Sequence, residues 1–509
     1  MVSPESVGEL AARNRSLIVS RVFHHAKTRA QADALIAGDI RITYCELARR
    51  ITAVAAGWQK QDLQRHDIIV LAAESTPTFA YAYLAAHLLG IRVVPVDPAA
   101  PARRIADIAD RIRPRAIYVT SQFKGGDLAC RPLAELEATS LERVDSPVPG
   151  SVALPMADAV ADILFTTGTT GAAKGVQLSH ANISAAADSI NAFVGNTEND
   201  REVIPLPLSH SFGLGRLRCV LSAGGTLVLV NGFMFPEMIF DAMSTERATG
   251  FSFVPAGLAV LLRLTEDRLG EFAQQLSYIE IGSAPMPMEH KHRLIRLLPK
   301  TRICMHYGLT EASRSAFIEF HSDREKLDTV GRPAPGVEIR ITDANGQVSV
   351  LGEMGELCVR GDHVMQSYWQ DEGETRKAIR DGWLYTGDMG FQDAAGYIRL
   401  QGRKTEMINV GGRKVVPLEV ENVLNEHSAI AECACVGVPD PGGLSGEAVK
   451  AFVVSNGDER PSEKELARFL RDKLDPYKFP VQYAWVDEIP KTSSGKLQRQ
   501  ILNLDSGKS

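Results

Sequence analysis

Asp67-Ile68-Ile69-Val70-Leu71-Ala72, then Pro77 to Leu89, then Arg92-Val93-Val94-Pro95-Val96 decide the fold. The outer runs read as strands and the middle one as a helix, a β-α-β order. The order recurs around Ala161–Thr166, Val203–Pro205, Thr226–Val230 and Tyr278–Ile281, with helical patterns between them. Such alternation predicts an α/β chain with a mostly parallel sheet covered by helices on both faces. From about Gly336 the texture changes. Gly336–Thr342 and Gln347–Val350 flank the turn Asp343-Ala344-Asn345-Gly346, and Gly355–Arg360 adds a short strand. This reads as a small antiparallel, β-barrel-like subdomain. After Gln401 comes a compact α+β tail, with helices over Val415–Leu424 and Glu463–Leu474 and strands over Cys433–Val438 and Ala448–Val454. Ser462 and Glu465 form a capping-box pattern before the second helix. The expected division is a large domain over residues 1–401 and a small, mobile C-terminal domain over 402–509, without repeats.

At 509 residues the chain is too long for one ordinary domain, and 45% hydrophobic residues supply a substantial core. A net charge of −6 gives no electrostatic case for nucleic acid or an anionic membrane. The odd number of cysteines, seven, lacks zinc-finger spacing, which predicts reduced thiols and a cytoplasmic location. Met1 to Leu10 carries two glutamates and no apolar run, unlike a secretory signal. The longest apolar stretch, Ala80 to Ile91, is interrupted by His87 and too short to span a bilayer. The end, Gly507-Lys508-Ser509, matches neither a peroxisomal address nor a prenylation box.

Chemistry enters at Phe165-Thr166-Thr167-Gly168-Thr169-Thr170-Gly171-Ala172-Ala173-Lys174-Gly175, directly after an apolar strand. Glycines let the backbone turn and aim N–H groups outward, hydroxyls add donors and Lys174 adds charge, as a polyphosphate requires. The spacing is not that of the familiar phosphate loop of nucleotide hydrolases. Alone, the segment could equally be a polar connector.

With this segment the chain resembles the adenylate-forming, AMP-binding superfamily, nearest to its acyl- and aryl-CoA synthetases. Tyr307-Gly308-Leu309-Thr310-Glu311, Tyr385-Thr386-Gly387-Asp388, Gly402-Arg403 and Pro490 to Arg499, with Gly495-Lys496, continue the resemblance in order. It implies ATP, Mg²⁺ and coenzyme A (or a carrier-protein phosphopantetheine) as cofactors and a small-molecule carboxylic acid as substrate. By the same resemblance Thr166, Thr167, Gly168, Thr169, Thr170, Gly171 and Lys174 cradle the β- and γ-phosphates. Glu311 holds Mg²⁺ and Thr310 contacts the α-phosphate. Tyr307 beside Gly308 stacks on adenine, which Gly282, Ser283 and Ala284 border through their backbone. Asp388 and Arg403 bind the ribose hydroxyls, and Lys496 bridges the attacking carboxylate and the α-phosphate. Singly, each is an ordinary surface acid, a solvated lysine or a core aromatic; as an ordered set they point to catalysis.

The resemblance also implies two orientations of the small domain. The hinge position, usually Asp or Lys, is Thr405 here, flanked by Lys404 and Glu406. Gly411 and Gly412 would face the pantetheine thiol, the bland alternative being a hairpin turn. Ala172-Ala173, Asn409 and Ser367 are milder departures from the family pattern.

Ile204 to Gly215 resembles the synthetase acid-pocket motif, with His210 at the position bordering the acid. Nothing between Ser209 and Gly215 is acidic, so the ammonium of an amino acid would be uncompensated. Arg216 and Arg218 stand where an apolar helix is common. Either could meet a second carboxylate of the substrate, or both could be solvated or paired elsewhere. Ser252, Phe253, Ser313 and Ser315 are further pocket-wall candidates. The expected reaction is acyl-adenylate formation with release of pyrophosphate, then thioester formation with coenzyme A. A stand-alone enzyme loading a separate acyl-carrier protein is the near alternative, and a non-catalytic acyl-adenylate binder the distant one. A luciferase-like oxidation is demanded by no residue. The oligomeric state is not legible.

Overall fold

The computed structural model describes residues 17–121, 123, 128–141, 153–166, 173–443, 446–457, 460–491, 497–499 and 501–502. Two parallel-rich sheets carry the large N-terminal part, one of nine strands and one of seven. In the seven-stranded sheet Ile68–Ala72 is paired in parallel with Arg92–Pro95 on one side and Ala116–Val119 on the other. Successive side chains of a strand point to opposite faces. Thus Ile69 and Leu71 enter the core between the two sheets, while Ile68, Val70 and Ala72 pack under the Ala102–Ile112 helix. In the nine-stranded sheet Leu227 and Tyr278 face that same inter-sheet core. Val203, Phe251, Phe253, Ile279 and Ile281 face outward, under Pro236–Glu246, Pro255–Thr265 and Met288–Leu297.

The helix Pro77–Leu89 is buried along its whole length, which a helix apolar all round requires. Thr76 caps it by accepting from the Phe79 N–H, Pro77 stands in the first turn, and Gly90 ends it at φ +72°. His180–Val194 and Ser211–Ala223 share the same inter-sheet layer.

Polar side chains are locked into that layer. Asp162 accepts from Tyr83 Oη at 3.0 Å, lies 3.0 Å from His87 Nε2 and is ion-paired with Arg218. Burial raises the Asp162 carboxyl, but Arg218 and His87 outweigh it and hold it below the usual range. Arg218 is therefore neither solvated nor available to a substrate. His180 stands edge-on to His87 at 4.9 Å, and burial followed by His87 pushes it down to about 3. Burial likewise pushes His363 down to about 4. Both rings are neutral when folded and bind protons on unfolding below about pH 6.5. Stability is therefore full above about 6.5 and lost as pH falls toward the folded values. The expected slope is about 1.4 kcal/mol per pH unit for each ring. Urea midpoints measured from pH 7 to 4.5 should fall, and His180→Leu should flatten the fall.

The C-terminal half follows the expected order with three shifts. Glu338–Thr342 pairs with Gly355–Arg360, which pairs with Trp383–Gln392, and Ile398–Arg403 completes the antiparallel unit with Ile379–Arg380. The expected strand Gln347–Val350 reduces to one bridge, Thr342 to Val348. Asp343 Oδ1 closes the turn by accepting from Asn345 and Gln347 N–H, and the chain then leaves with Val348 and Val350 66% and 70% exposed. No core rewards further pairing there. The expected helix from Val415 begins at Pro417, because Arg413–Val415 is the return strand of a hairpin. The helix from Glu463 ends at Arg471, and Ser462 caps it by accepting from Glu465 N–H. Ile430–Pro439, Glu447–Ser455 and Gln482–Trp485 form a three-stranded sheet with apolar clusters on both faces.

Candidate active site

Ligands of open α/β sheets gather outside the carboxyl ends of parallel strands. Here the carboxyl ends of both sheets approach one another. Leu208 N–H, beyond Arg201–Ile204 of the nine-stranded sheet, donates to Ser75 Oγ beyond Ile68–Ala72 of the other at 2.8 Å. Beside it His210 Nε2 lies 3.1 Å from Asp97 Oδ2, and Asp97 follows Arg92–Pro95.

Asp388 and Arg403 are register partners on adjacent antiparallel strands, so their side chains share one face. Arg403 Nε meets Asp388 Oδ1 at 2.9 Å, and Tyr307 Oη donates to Asp388 Oδ2 at 2.6 Å. Burial lowers and Asp388 raises the Arg403 guanidinium, with a net rise, so the guanidinium stays charged. Tyr307 is only 9% exposed, its ring packed with Ala316, Ile341, Leu357 and Ile398. Its hydroxyl is committed to Asp388. Gly308 has no room for a Cβ, which would lie 2.3 Å from Arg314 N.

Glu311, next to Thr310, accepts from Tyr368 Oη at 2.8 Å through Oε1. Lys174 Nζ sits 4.9 Å from the Tyr368 ring and donates to Glu374 at 2.5 Å, which pushes that carboxyl down to about 2. Tyr368 thus stands between Glu311, the candidate metal ligand, and Lys174. Thr166 N–H donates to Lys174 O at 2.9 Å across the loop's base. Thr167, Gly168, Thr169, Thr170, Gly171 and Lys496 lie outside the described residues.

Gly282, Ser283 and Ala284 follow the Tyr278–Ile281 strand, Ser283 at φ +78°. A Cβ on Gly282 would stand 2.0 Å from His306 Nε2. Gly411 and Gly412, at φ +56° and +84°, are the two-residue turn between Ile408–Val410 and Arg413–Val415. That conformation is a primed hairpin turn, as two glycines favour. Thr405 lies in the turn after Arg403, where Lys404 N–H donates to Gly387 O at 2.8 Å.

Arg216 is fully buried, paired with Glu202 at 2.5 Å and Glu280 at 2.8 Å. It is committed to structure and cannot meet a substrate carboxylate. Ser252 Oγ donates to Glu202 at 2.7 Å, Ser315 Oγ is shared between Ala312 O and His363, and Phe253 faces the outer core. These three are not free pocket-wall groups. Ser313 Oγ accepts from Arg314 Nη1 at 3.0 Å.

Asp97, Tyr368, Glu374, Glu280, His306 and Arg314 are the residues that sequence reasoning missed. A signal existed for one of them: Glu280, like Glu202, interrupts a short apolar strand in a sheet whose strands are otherwise apolar.

These pairings coincide with the motif order of one family. Residues 22–369 match the AMP-binding enzyme family and residues 419–496 match the AMP-binding enzyme C-terminal domain. The chain belongs to the AMP-binding enzyme family. It is 29% identical over 483 residues to a feruloyl-CoA synthase of Amycolatopsis sp, covering 93% of this chain and 95% of that protein. It is 34% identical over 347 residues to a long-chain-fatty-acid–CoA ligase of Bacillus subtilis, covering 67% and 61%. Its fold superposes on o-succinylbenzoate CoA synthetase of Bacillus subtilis, in complex with its acyl-adenylate intermediate, with a TM-score of 0.85. Identity there is 28%, and 95% of this chain and 97% of the other are covered.

The donor set suits what this family binds. Asp388 meets Arg403 through Oδ1 and Tyr307 through Oδ2, so the carboxylate is held in one orientation on this face. Among the described residues no group of three or more His, Cys, Asp or Glu could hold a metal alone. A lone Glu311 fits a Mg²⁺ whose other ligands are phosphate and water. Among the described residues no helix is long and apolar enough to cross a membrane.

Proposed function

We propose that this chain activates a small, non-amino carboxylic acid with ATP and transfers the acyl group to coenzyme A. It is an acid–thiol ligase of the AMP-forming type, using ATP, Mg²⁺ and coenzyme A. The observation carrying the residue assignment is the Tyr307–Asp388–Arg403 cluster beside the Glu311–Tyr368–Lys174 chain. These are two charged groups, on separate elements, drawn from successive family motifs.

Asp388 accepts ribose hydroxyls, with Tyr307 and Arg403 fixing its rotamer. Gly282, Ser283 and Ala284 present backbone to the base, Thr310 donates to the α-phosphate, and Thr166 to Gly171 with Lys174 enclose the outer phosphates. Mg²⁺, when bound at Glu311, neutralises phosphate charge and polarises the bond to pyrophosphate. Lys496 stabilises charge growing between the carboxylate and the α-phosphate. His210, oriented by Asp97, borders the acid. The boundary between residues 1–401 and 402–509 is the proposed pivot region, with Thr405 as hinge and Gly411-Gly412 approaching the thiol. Seven free cysteines support a reducing, cytoplasmic compartment.

Acid-dependent ATP–pyrophosphate exchange followed by thioester assay tests the reading. Exchange and thioester with coenzyme A support it; thioester only with a phosphopantetheinylated carrier protein would make the carrier the acceptor. Absence of exchange with aryl, fatty and dicarboxylic acids alike would sink it. Asp388→Asn should raise the KM for ATP about tenfold, the effect of weakening one charge-assisted hydrogen bond, and leave the KM for the acid unchanged.

A further inference from the structure

Three glycines face the layer between the Ser211–Ala223 helix and the nine-stranded sheet, and none leaves an open channel. A Cβ on Gly215 would lie 2.3 Å from Arg314 Nη1, one on Gly250 2.3 Å from Tyr278 Oη, and one on Gly282 2.0 Å from His306. Glycine in mid-helix costs about 1 kcal/mol relative to alanine, so Gly215 needs a reason. That reason is the Arg314 guanidinium, which occupies the space.

Arg314 is held from every side. Its Nε meets Glu280 at 3.0 Å, Nη1 donates to Ser211 O at 3.3 Å, and Nη2 donates to Phe212 O at 3.1 Å. Its backbone sits at φ +55°, a conformation a non-glycine residue keeps only when its surroundings impose it. Glu280 also binds Arg216 at 2.8 Å and His306 Nδ1 at 2.8 Å. Tyr278 Oη donates to Glu202 at 2.6 Å. Two arginines thus face two glutamates, a network balanced in charge and almost wholly buried.

We infer that this network is the floor of the acid pocket and restricts the enzyme to compact acids, short-chain or single-ring, without a second carboxylate. The inference rests on the proposed function, which sets the acid beside His210, the residue preceding the helix that Arg314 clamps. An acyl chain running deeper along the helix would have to displace Arg314 and strand Glu280. Among the described residues of this network a distal carboxylate finds no uncommitted cation, because Arg216 and Arg314 are already paired. The chain is similar both to a feruloyl-CoA synthase and to a long-chain-fatty-acid–CoA ligase, so similarity alone does not choose between acid classes.

The test is ATP–pyrophosphate exchange by the full chain across acetate, hexanoate, decanoate, hexadecanoate, benzoate, cinnamate and succinate. Exchange with the best compact monoacid should exceed that with hexadecanoate, and with succinate, by about 100-fold or more, since each misfit methylene costs roughly tenfold or more. Arg314→Ala should raise the hexadecanoate-to-hexanoate ratio of kcat/KM at least about tenfold; it must first be shown folded by its thermal transition. The wild-type profile decides even if that variant fails to fold. Hexadecanoate or succinate activated as well as the best compact monoacid overturns the inference and leaves the ligase reading intact. No exchange with any acid overturns both.

Discussion

Replacing Lys496 with alanine should slow ATP–pyrophosphate exchange about a hundredfold to a thousandfold while changing ATP affinity little. Adenylation brings a carboxylate against a triphosphate. Two like charges about 4 Å apart cost on the order of 4 kcal/mol at an effective dielectric near 20. A cation aimed where charge grows in the transition state offsets that cost, and losing one such donor costs about 3–4 kcal/mol of activation free energy. ATP affinity should survive because Asp388, Arg403 and the glycine–threonine loop remain. Exchange rates with the acid at saturation, beside nucleotide binding by calorimetry, separate the two effects. Equal losses in rate and in ATP affinity would assign Lys496 to ground-state binding instead. Thioester formation from a supplied acyl-adenylate should be affected far less, since the second step does not join two anions.

The largest loss of stability should follow Arg216→Leu. The guanidinium is fully buried between Glu202 and Glu280. Burial lowers its proton affinity, but the two carboxylates reverse that and hold it charged. Removing it leaves Glu280 with Arg314 and His306, whereas among the described residues Glu202 keeps only the Tyr278 and Ser252 hydroxyls. Stranding one member of a buried ion pair costs about 3–5 kcal/mol. The urea midpoint of the large N-terminal unit should drop accordingly. Glu202→Gln added to Arg216→Leu should restore part of the loss, because a neutral amide replaces the stranded charge. If the double variant is no more stable than the single, the loss comes from packing around the arginine rather than from charge.

Much of this protein was written in local patterns. The β-α-β run from Asp67 to Val96 specifies its own elements because strand and helix periods differ, and the Thr76, Pro77 and Gly90 signals bound the helix. The motifs were legible because each places charged, hydroxyl or glycine residues at fixed spacing. The errors cluster where neighbours decide. Gln347–Val350 has strand-like residues, yet no core lies beneath it. For Arg216 and Arg218 the sequence left a substrate carboxylate, solvent and a partner elsewhere in the fold all open, and the structure chose the last, because a helix does not reveal which carboxylates will face it across 14 or 56 residues of chain.

The sequence by itself determined the strand–helix alternation, the change to antiparallel texture after Gly336, and the ordered set of family motifs from Thr166 to Lys496. Short-range spacing encodes all of these. Only the tertiary structure decided that Tyr307 grips Asp388, that Tyr368 joins Glu311 to Lys174, that Asp97 orients His210, and that Arg314 fills the space beside Gly215. Each is a contact between elements far apart in the chain. Such contacts are set by how two sheets pack about a shared helical layer, and no local window of residues contains them.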